Sequence, residues 1–389
     1  MNFKLSVLFL TNAYPDFESS YRGIFIKQMA TLLRNEGYQI DVVTPRIYRR
    51  SRLFENQEGI KVYRFPFFSG NKPLIQYKTI PYFRLLLYFI SGSLLTIFVV
   101  IKSRCRIIHI HWAIPTGLIG VFVGRLLMKP VIVTIHGSDL RMAVDRPGLI
   151  QKLFLYVCNR AIQLTCVSEI QRREMGDLAL RGKEISVFPM GVDNRFLEIG
   201  KNRKIGVKDK VLTIVSNRNL LPIYNVSLLI RAIPLVIQEE PGVRFLIAGE
   251  GPEKENLEKE AKDLNVNSFV QFLGRIPHDQ MPEFLGNSDI YVSTSLYDGT
   301  SVSLLEAMAT GLFPVVTNIS SNQEWIEDGK NGFLIPPQNE VFLAKRIIDA
   351  IRNKELMASA IEKNLSIIEK KAFWQNQIQE LKKVYEKVL

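Results

Sequence analysis

What most constrains the fold is a hydrophobic rhythm that recurs along the chain. Short apolar runs of strand type alternate with longer segments of helical period. Leu5–Thr11 is a continuous apolar run, and Ile24–Asn35 has helical periodicity before Gly37. Gln39–Thr44 reads as a strand stopped by Pro45, Ile107–Trp112 as another, and Pro115 opens an apolar helix running to Met128. Val131–Ile135 is a strand ending at His136-Gly137-Ser138-Asp139. The second half repeats the pattern: Val211–Val215, Arg244–Ala248, Phe269–Phe272, Ile290–Ser293 and Phe313–Thr317 read as strands, Val226–Gln238 and Glu253–Leu264 as helices. Apolar strands separated by helices call for parallel sheets covered on both faces, an α/β class. The 389 residues allow two such domains. Sheets of this kind bind ligands at the carboxyl ends of their strands, though the fold names no chemistry. Gly191–Lys210, rich in Lys, Arg, Asn and Gly, reads as a hinge or linker. Phe373–Leu389 reads as an amphipathic helix with Trp374, Ile378, Leu381, Val384 and Tyr385 on one face.

Charge separates the halves. Residues 1–200 hold 27 Lys and Arg against 14 Asp and Glu, whereas residues 201–389 hold 23 against 24. An anionic partner is expected for the first half only: nucleic acid, an anionic membrane surface or a charged acceptor. The basic run Arg46, Arg49, Arg50 and Arg52 is a solvated loop or a lipid-phosphate contact. Cys105, Cys158 and Cys166 are odd in number and lack metal-ligand spacing, which fits buried thiols in a reducing compartment. Ser6–Leu10 is followed by Thr11-Asn12-Ala13-Tyr14-Pro15 without a small-residue cleavage pattern, so it reads as a first buried strand rather than a leader. Leu85–Ile101 is uncharged, but it is short for a spanning helix and interrupted by Ser91-Gly92-Ser93. It reads as a buried core helix or an interfacial one.

The sharpest chemistry lies between Ile290 and Gly311, which reads strand, turn, helix. Asp298-Gly299 makes the turn, Thr300 or Ser301 suits the helix N-cap, and Gly311 suits its C-terminal stop. Backbone N–H groups at Gly299 to Val302 would then form an anion-binding helix terminus. Glu306 stands among Leu304, Leu305, Ala307, Met308 and Ala309, on a helix apolar nearly all round. A carboxylate there requires partners, either hydroxyls of a bound sugar or an inward Arg or Lys.

This stretch resembles the acidic-x7-Glu signature of the retaining glycosyltransferases of family 4. Their usual pattern closes Glu-Ala-Met-Ala-x-Gly-x-Pro-Val, and here Glu306-Ala-Met-Ala-Thr-Gly-Leu-Phe-Pro-Val315 carries one extra residue. The opening Glu is replaced by Asp298. Other segments agree in order: Tyr21-Arg22-Gly23-Ile24-Phe25, Ile107-Ile-His-Ile-His-Trp112, Thr134-Ile-His-Gly-Ser-Asp139, Phe188-Pro-Met-Gly-Val-Asp193, Ile247-Ala-Gly-Glu-Gly-Pro252, Phe272-Leu-Gly-Arg275 and Glu327-Asp-Gly-Lys-Asn-Gly332.

The resemblance implies a GT-B fold, two Rossmann-like parallel-sheet domains facing across a cleft. It places an acceptor domain at 1–192, with helix 374–389 packed back on it, and a nucleotide-sugar donor domain at 193–373. By residue, Glu306 matches the acid on the nucleotide ribose and Asp298 the acid on the donor sugar. Gly299, Thr300, Ser301 and Val302 match the backbone at sugar and diphosphate, and Gly251 the glycine loop of the donor domain. His136 matches a histidine of the sugar pocket, Gly23 the loop approaching the diphosphate, and Arg275 and Ile276 the turn near the base. The implied activity is transfer of a sugar with retention, to a lipid-linked or glycan acceptor in cell-surface polysaccharide assembly. The implied setting is peripheral, at the inner face of the cytoplasmic membrane, with residues 1–200 toward anionic lipid and no nucleic acid partner. Family enzymes work without a bound metal or other cofactor, and no Asp-x-Asp occurs here.

One departure concerns the diphosphate. The family's Arg-Leu-x-x-x-Lys is replaced at Ser216-Asn-Arg-Asn-Leu-Leu-Pro-Ile-Tyr-Asn225, with Asn219 and Tyr224 at the cationic positions and Arg218 one residue off. Arg218 by a small shift, or Tyr224 by a hydrogen bond, is expected to serve instead. A binding relative with little turnover, or another GT-B enzyme such as a sugar-nucleotide epimerase, is the alternative. His109 and His111 share one strand face and read as pocket or core residues, and His278 as a surface loop residue. Gly249-Glu250-Gly251 lacks the third glycine of a dinucleotide fingerprint.

Overall fold

The computed structural model describes residues 3–389 except 18, 19, 21, 75, 76, 78, 80, 179, 181 and 204–210. The chain forms two compact units, Met1–Pro189 with Gln377–Leu389, and Met190–Asn376.

The first unit is built on β1 (Leu5–Thr11), β2 (Tyr38–Pro45), β3 (Phe54–Gln57), β4 (Ile60–Phe65), β5 (Ile107–His111), β6 (Val131–Ile135), β7 (Gln163–Cys166) and β8 (Ile185–Val187), in the order β3-β4-β2-β1-β5-β6-β7-β8. All neighbours pair in parallel except β3 and β4. That hairpin was not expected from the sequence. Its two-residue turn holds Glu58 at φ 51° and Gly59 at φ 86°, the doubly positive pair that suits a tight hairpin. The central strands are buried on both faces, so β5 and β6 are inaccessible along their whole length.

Helix Tyr82–Lys102 runs 21 residues without a break at Ser91-Gly92-Ser93. Gly92 is instead the point of closest approach to Ile119 and Phe65, where a Cβ would sit too near both. Ser91 Oγ donates to the Pro66 carbonyl at 2.6 Å and Thr96 Oγ1 to the Gly92 carbonyl at 2.6 Å, so these two hydroxyls cost the helix little. Among the described residues it is the one helix long and apolar enough to cross a membrane.

The second unit carries β9 (Leu212–Ser216), β10 (Val243–Ala248), β11 (Val270–Gly274), β12 (Ile290–Ser293), β13 (Phe313–Thr317) and β14 (Phe333–Ile335), all parallel, in the order β11-β10-β9-β12-β13-β14. The expected linker at 191–210 is largely structured. Asp193 caps a helix over Asn194–Lys201 by accepting from Arg195 N–H at 2.9 Å, and Phe196 and Leu197 are buried. Residues 204–210 lie outside the described ones.

Candidate functional site

In the second sheet the strand order reverses between β9 and β12, the place where a doubly wound sheet opens a crevice at its carboxyl edge. The loop after β9 brings Arg218 there, and the loop after β12 brings Asp298. Arg218 Nη2 lies 2.5 Å from Asp298 Oδ2, and Nη1 donates to Ser301 Oγ at 2.8 Å. The guanidinium sits over the Tyr224 ring at 4.2 Å, and Arg218 is 7% exposed. Burial works against its charge, but Asp298, with Tyr291 and Tyr224, outweighs burial and holds its pKa above the ordinary range. Asp298 Oδ1 also accepts from Gly299 N–H at 2.9 Å. Ser301 is the N-cap of helix Val302–Ala309, accepting from Leu304 N–H at 3.3 Å. One hydroxyl thus ties the helix start to the ion pair. Arg218, expected to serve at the diphosphate, is tied within the unit by one contact from each terminal nitrogen, each of which carries a second N–H.

Glu306 is 6% exposed, with Leu304, Leu305, Ala307, Met308 and Ala309 all buried beside it. Its Oε1 accepts from His278 Nε2 at 3.1 Å. The partner is therefore an imidazole rather than a Lys or Arg, and His278 is not a simple surface loop residue. Its ring packs edge-on against Phe196 at 5.9 Å, and its side chain is 24% exposed. The loop after β11 that carries it has no hydrophobic period, so nothing local in the sequence signalled the contact. Burial disfavours the imidazolium, but the hydrogen bond and charge of Glu306 outweigh burial and raise its pKa, with Arg195 and Asp193 acting in opposite senses nearby.

Arg275 and Ile276 follow β11, and Gly249 and Gly251 follow β10. Leu220 N–H donates to the Glu250 carbonyl at 2.9 Å, and a Cβ on Gly251 would overlap the Leu220 carbonyl. The β10 loop thus braces the loop that carries Arg218. Asp298, Gly299, Thr300, Ser301, Val302 and Glu306 come from the segment after β12. All the second-unit residues singled out from the sequence therefore follow four adjacent strands at one edge.

The first unit carries Gly23 and His136, again on carboxyl-edge loops. Its strand order reverses between β1 and β5. Gly23 opens helix Ile24–Asn35 at φ 70°, with no room for a Cβ beside the Ala13 carbonyl. Tyr21 lies outside the described residues. The His136 ring centroid is 4.4 Å from that of Trp112 and 5.3 Å from that of Phe25, and its Nε2 is 3.1 Å from His111 Nδ1. His109 bonds Tyr385 Oη and Thr134 Oγ1, each at 2.7 Å. Burial lowers the pKa of all three imidazoles, helped at His111 and His136 by the neighbouring rings.

The four histidines therefore titrate with opposite signs. His278 keeps its proton to higher pH folded than unfolded. Its contribution is full below the ordinary imidazole value of about 6.5 and is lost as pH rises through the raised value. His109, His111 and His136 are depressed, so their contribution is present above about 6.5 and is lost as pH falls. Calorimetry of the wild type and His278→Gln against pH checks this. Above neutrality the second unit's transition is expected to weaken in the wild type and to stay level in the variant. An identical slope in both would remove the assignment.

The family described as Glycosyltransferase Family 4 matches residues 23–196, and that described as Glycosyl transferases group 1 matches residues 199–366. The chain is 25% identical over 263 residues to N-acetyl-alpha-D-glucosaminyl L-malate synthase of Bacillus anthracis, covering 66% of this chain and 68% of that one. It is 30% identical over 251 residues to UDP-Gal:alpha-D-GlcNAc-diphosphoundecaprenol alpha-1,3-galactosyltransferase of Escherichia coli, covering 60% and 63%. Among solved structures, sucrose-phosphate synthase from Thermosynechococcus elongatus superposes with a TM-score of 0.81 at 14% identity over 99% of both chains. Anabaena HepE, in complex with UDP and glucose, gives 0.75 at 18% identity over 98% of this chain and 99% of that one. With both halves matched in order, and two parallel Rossmann-like sheets beneath them, the chain belongs to the group 1, family 4 glycosyltransferases of GT-B type.

Proposed function

We propose that the chain moves a sugar from a nucleotide-sugar donor to a lipid-linked or glycan acceptor, with retention and without a bound metal or other cofactor. The setting is cell-surface polysaccharide assembly, with the protein peripheral at the inner face of the cytoplasmic membrane. The observation that carries the reading is Glu306, a buried carboxylate on an apolar helix at the carboxyl edge of the second sheet, held by His278 through one oxygen. A carboxylate so placed takes the hydroxyls of a nucleotide ribose. Asp298 takes donor-sugar hydroxyls, and the amides from Gly299 to Val302 take sugar and diphosphate. Catalysis of this kind rests on positioning and on stabilising the leaving diphosphate. The relatives support the substrate class, one being named for a diphosphoundecaprenol acceptor.

A thermal-shift screen of nucleotide-sugars is the direct test, since a donor at a hundred times its Kd stabilises by about 2.7 kcal/mol. One nucleotide-sugar is expected to stand out, and the product anomer from that donor is expected to match the donor's. An inverted product would end the retaining reading. Tight donor binding with neither transfer nor donor hydrolysis would favour the binding relative instead.

A further inference from the structure

We propose that the face built on helix Tyr82–Lys102 is the surface by which this chain lies on an anionic phospholipid bilayer, with the helix in the membrane plane. The inference rests on the peripheral-membrane clause above and supplies its surface and orientation.

Charge is the first support. From Gly59 to Ser138, 80 residues, there is no Asp or Glu, against ten Lys and Arg. Lys61, Lys72, Lys102, Arg104, Arg106 and Arg125 are exposed. A run of one sign over such a length attracts anionic headgroups.

The second support is the outward side of the helix. Phe83, Leu86, Ile90, Leu94, Phe98 and Ile101 are between 46% and 68% exposed. Their spacing of three and four residues draws them into one stripe. Phe89 meets Phe122 at 5.6 Å, so the stripe continues onto helix Thr116–Leu126, where Phe122 itself is 45% exposed. The inward side carries Tyr88, Gly92, Ser93, Thr96, Val99 and Val100. The helix is apolar on its buried side and carries a continuous stripe of large apolar groups on its outer side, unlike a water-facing helix, whose outer side is polar.

The third support fixes the orientation. Tyr88 Oη donates to Asn12 Oδ1 at 3.0 Å, and its ring meets Phe65 at 4.8 Å and Phe67 at 5.1 Å. Crossing the bilayer would strip the helix from these contacts and open the core of the first unit. Held on the sheet, it presents only its outer stripe, at the depth of an interfacial helix. Lys102, 5.2 Å from the Phe98 ring, sets a cation at the edge of that stripe. A nucleic acid would satisfy the charge but leave the apolar stripe in water. A second copy of the chain would bring two basic surfaces together.

The test uses the full chain and phosphatidylcholine vesicles with and without phosphatidylglycerol. Sedimentation is expected to show binding to the anionic vesicles and at least about ten-fold weaker binding to the neutral ones. The double variant Leu94→Glu with Phe98→Glu is expected to lose at least about ten-fold in vesicle binding, with unchanged melting and an unchanged nucleotide-sugar shift. Lys102→Glu with Arg104→Glu is expected to remove the preference for phosphatidylglycerol. Vesicle binding by the Leu94, Phe98 variant equal to the wild type would overturn the proposal. So would a wild-type dimer that this variant dissolves without any vesicle binding, or membrane-bound protein that resists alkaline carbonate extraction, the mark of a spanning helix. Failure of the wild type to bind anionic vesicles, with an intact donor shift, counts against this surface alone. A missing donor shift with intact vesicle binding counts against the transferase reading alone.

Discussion

Glu306→Ala is expected to lower kcat/KM by about three orders of magnitude while the chain stays folded. Hydrogen bonds to a charged group are worth about 1.5–3 kcal/mol each, and a bound ribose offers two hydroxyls. About 4 kcal/mol lost corresponds to roughly a thousand-fold. The fold tolerates the change because the remaining partner, His278, is 24% exposed and can return to its neutral form in water. Glu306→Gln keeps the volume and one acceptor oxygen, so a smaller loss is expected. Steady-state kinetics with the donor found by thermal shift decide the matter. Unchanged transfer by the alanine variant would remove Glu306 from the site.

Arg218→Ala is expected to destabilise the second unit by about 3–5 kcal/mol, because it leaves Asp298 with an uncompensated charge at a largely enclosed position. Asp298 is 17% exposed at its side chain, and its remaining hydrogen bond is from Gly299 N–H at 2.9 Å. Removing the acid as well, in Arg218→Ala with Asp298→Ala, is expected to return much of that stability, since breaking a buried pair costs more than deleting it. Arg218→Lys is not a rescue: an ammonium has no planar fork to reach both Asp298 and Ser301. The two units need not unfold together, so calorimetry that resolves two transitions is the measurement to use. A loss below about 1 kcal/mol would mean that solvent screens the pair as it screens surface pairs.

The sequence was most informative where the chain is apolar without interruption. β1, β6, β12 and β13 carry the bounds expected for them, because a strand buried on both faces writes its whole length in Val, Ile, Leu and Phe. Apart from β4, Ile60-Lys-Val-Tyr-Arg-Phe65, the strands it did not reveal are short or polar. β7 is Gln163-Leu-Thr-Cys166, β8 is three residues long, and β3 is an edge strand reading Phe54-Glu-Asn-Gln57. Their pairing comes from tertiary context rather than from pattern. The site was legible on the same terms. Asp298, Ser301 and Glu306 lie in one segment, and turn, cap and apolar helix chemistry together located them. His278 meets Glu306 across 28 residues, and Arg218 meets Asp298 across 80, so neither contact leaves a local trace.

The discontinuous first unit sets an order of assembly. Gln377–Leu389 belongs with Met1–Pro189, and the whole second unit is inserted between them. Within the first unit, Tyr385 bonds the buried His109, and Lys382 reaches Glu36 at 2.7 Å. During synthesis the second sheet can close from its own residues as they emerge. The first sheet, begun at Leu5, keeps His109 without its phenolic partner until nearly three hundred further residues have been made. The earlier-born unit is therefore the later one to be finished.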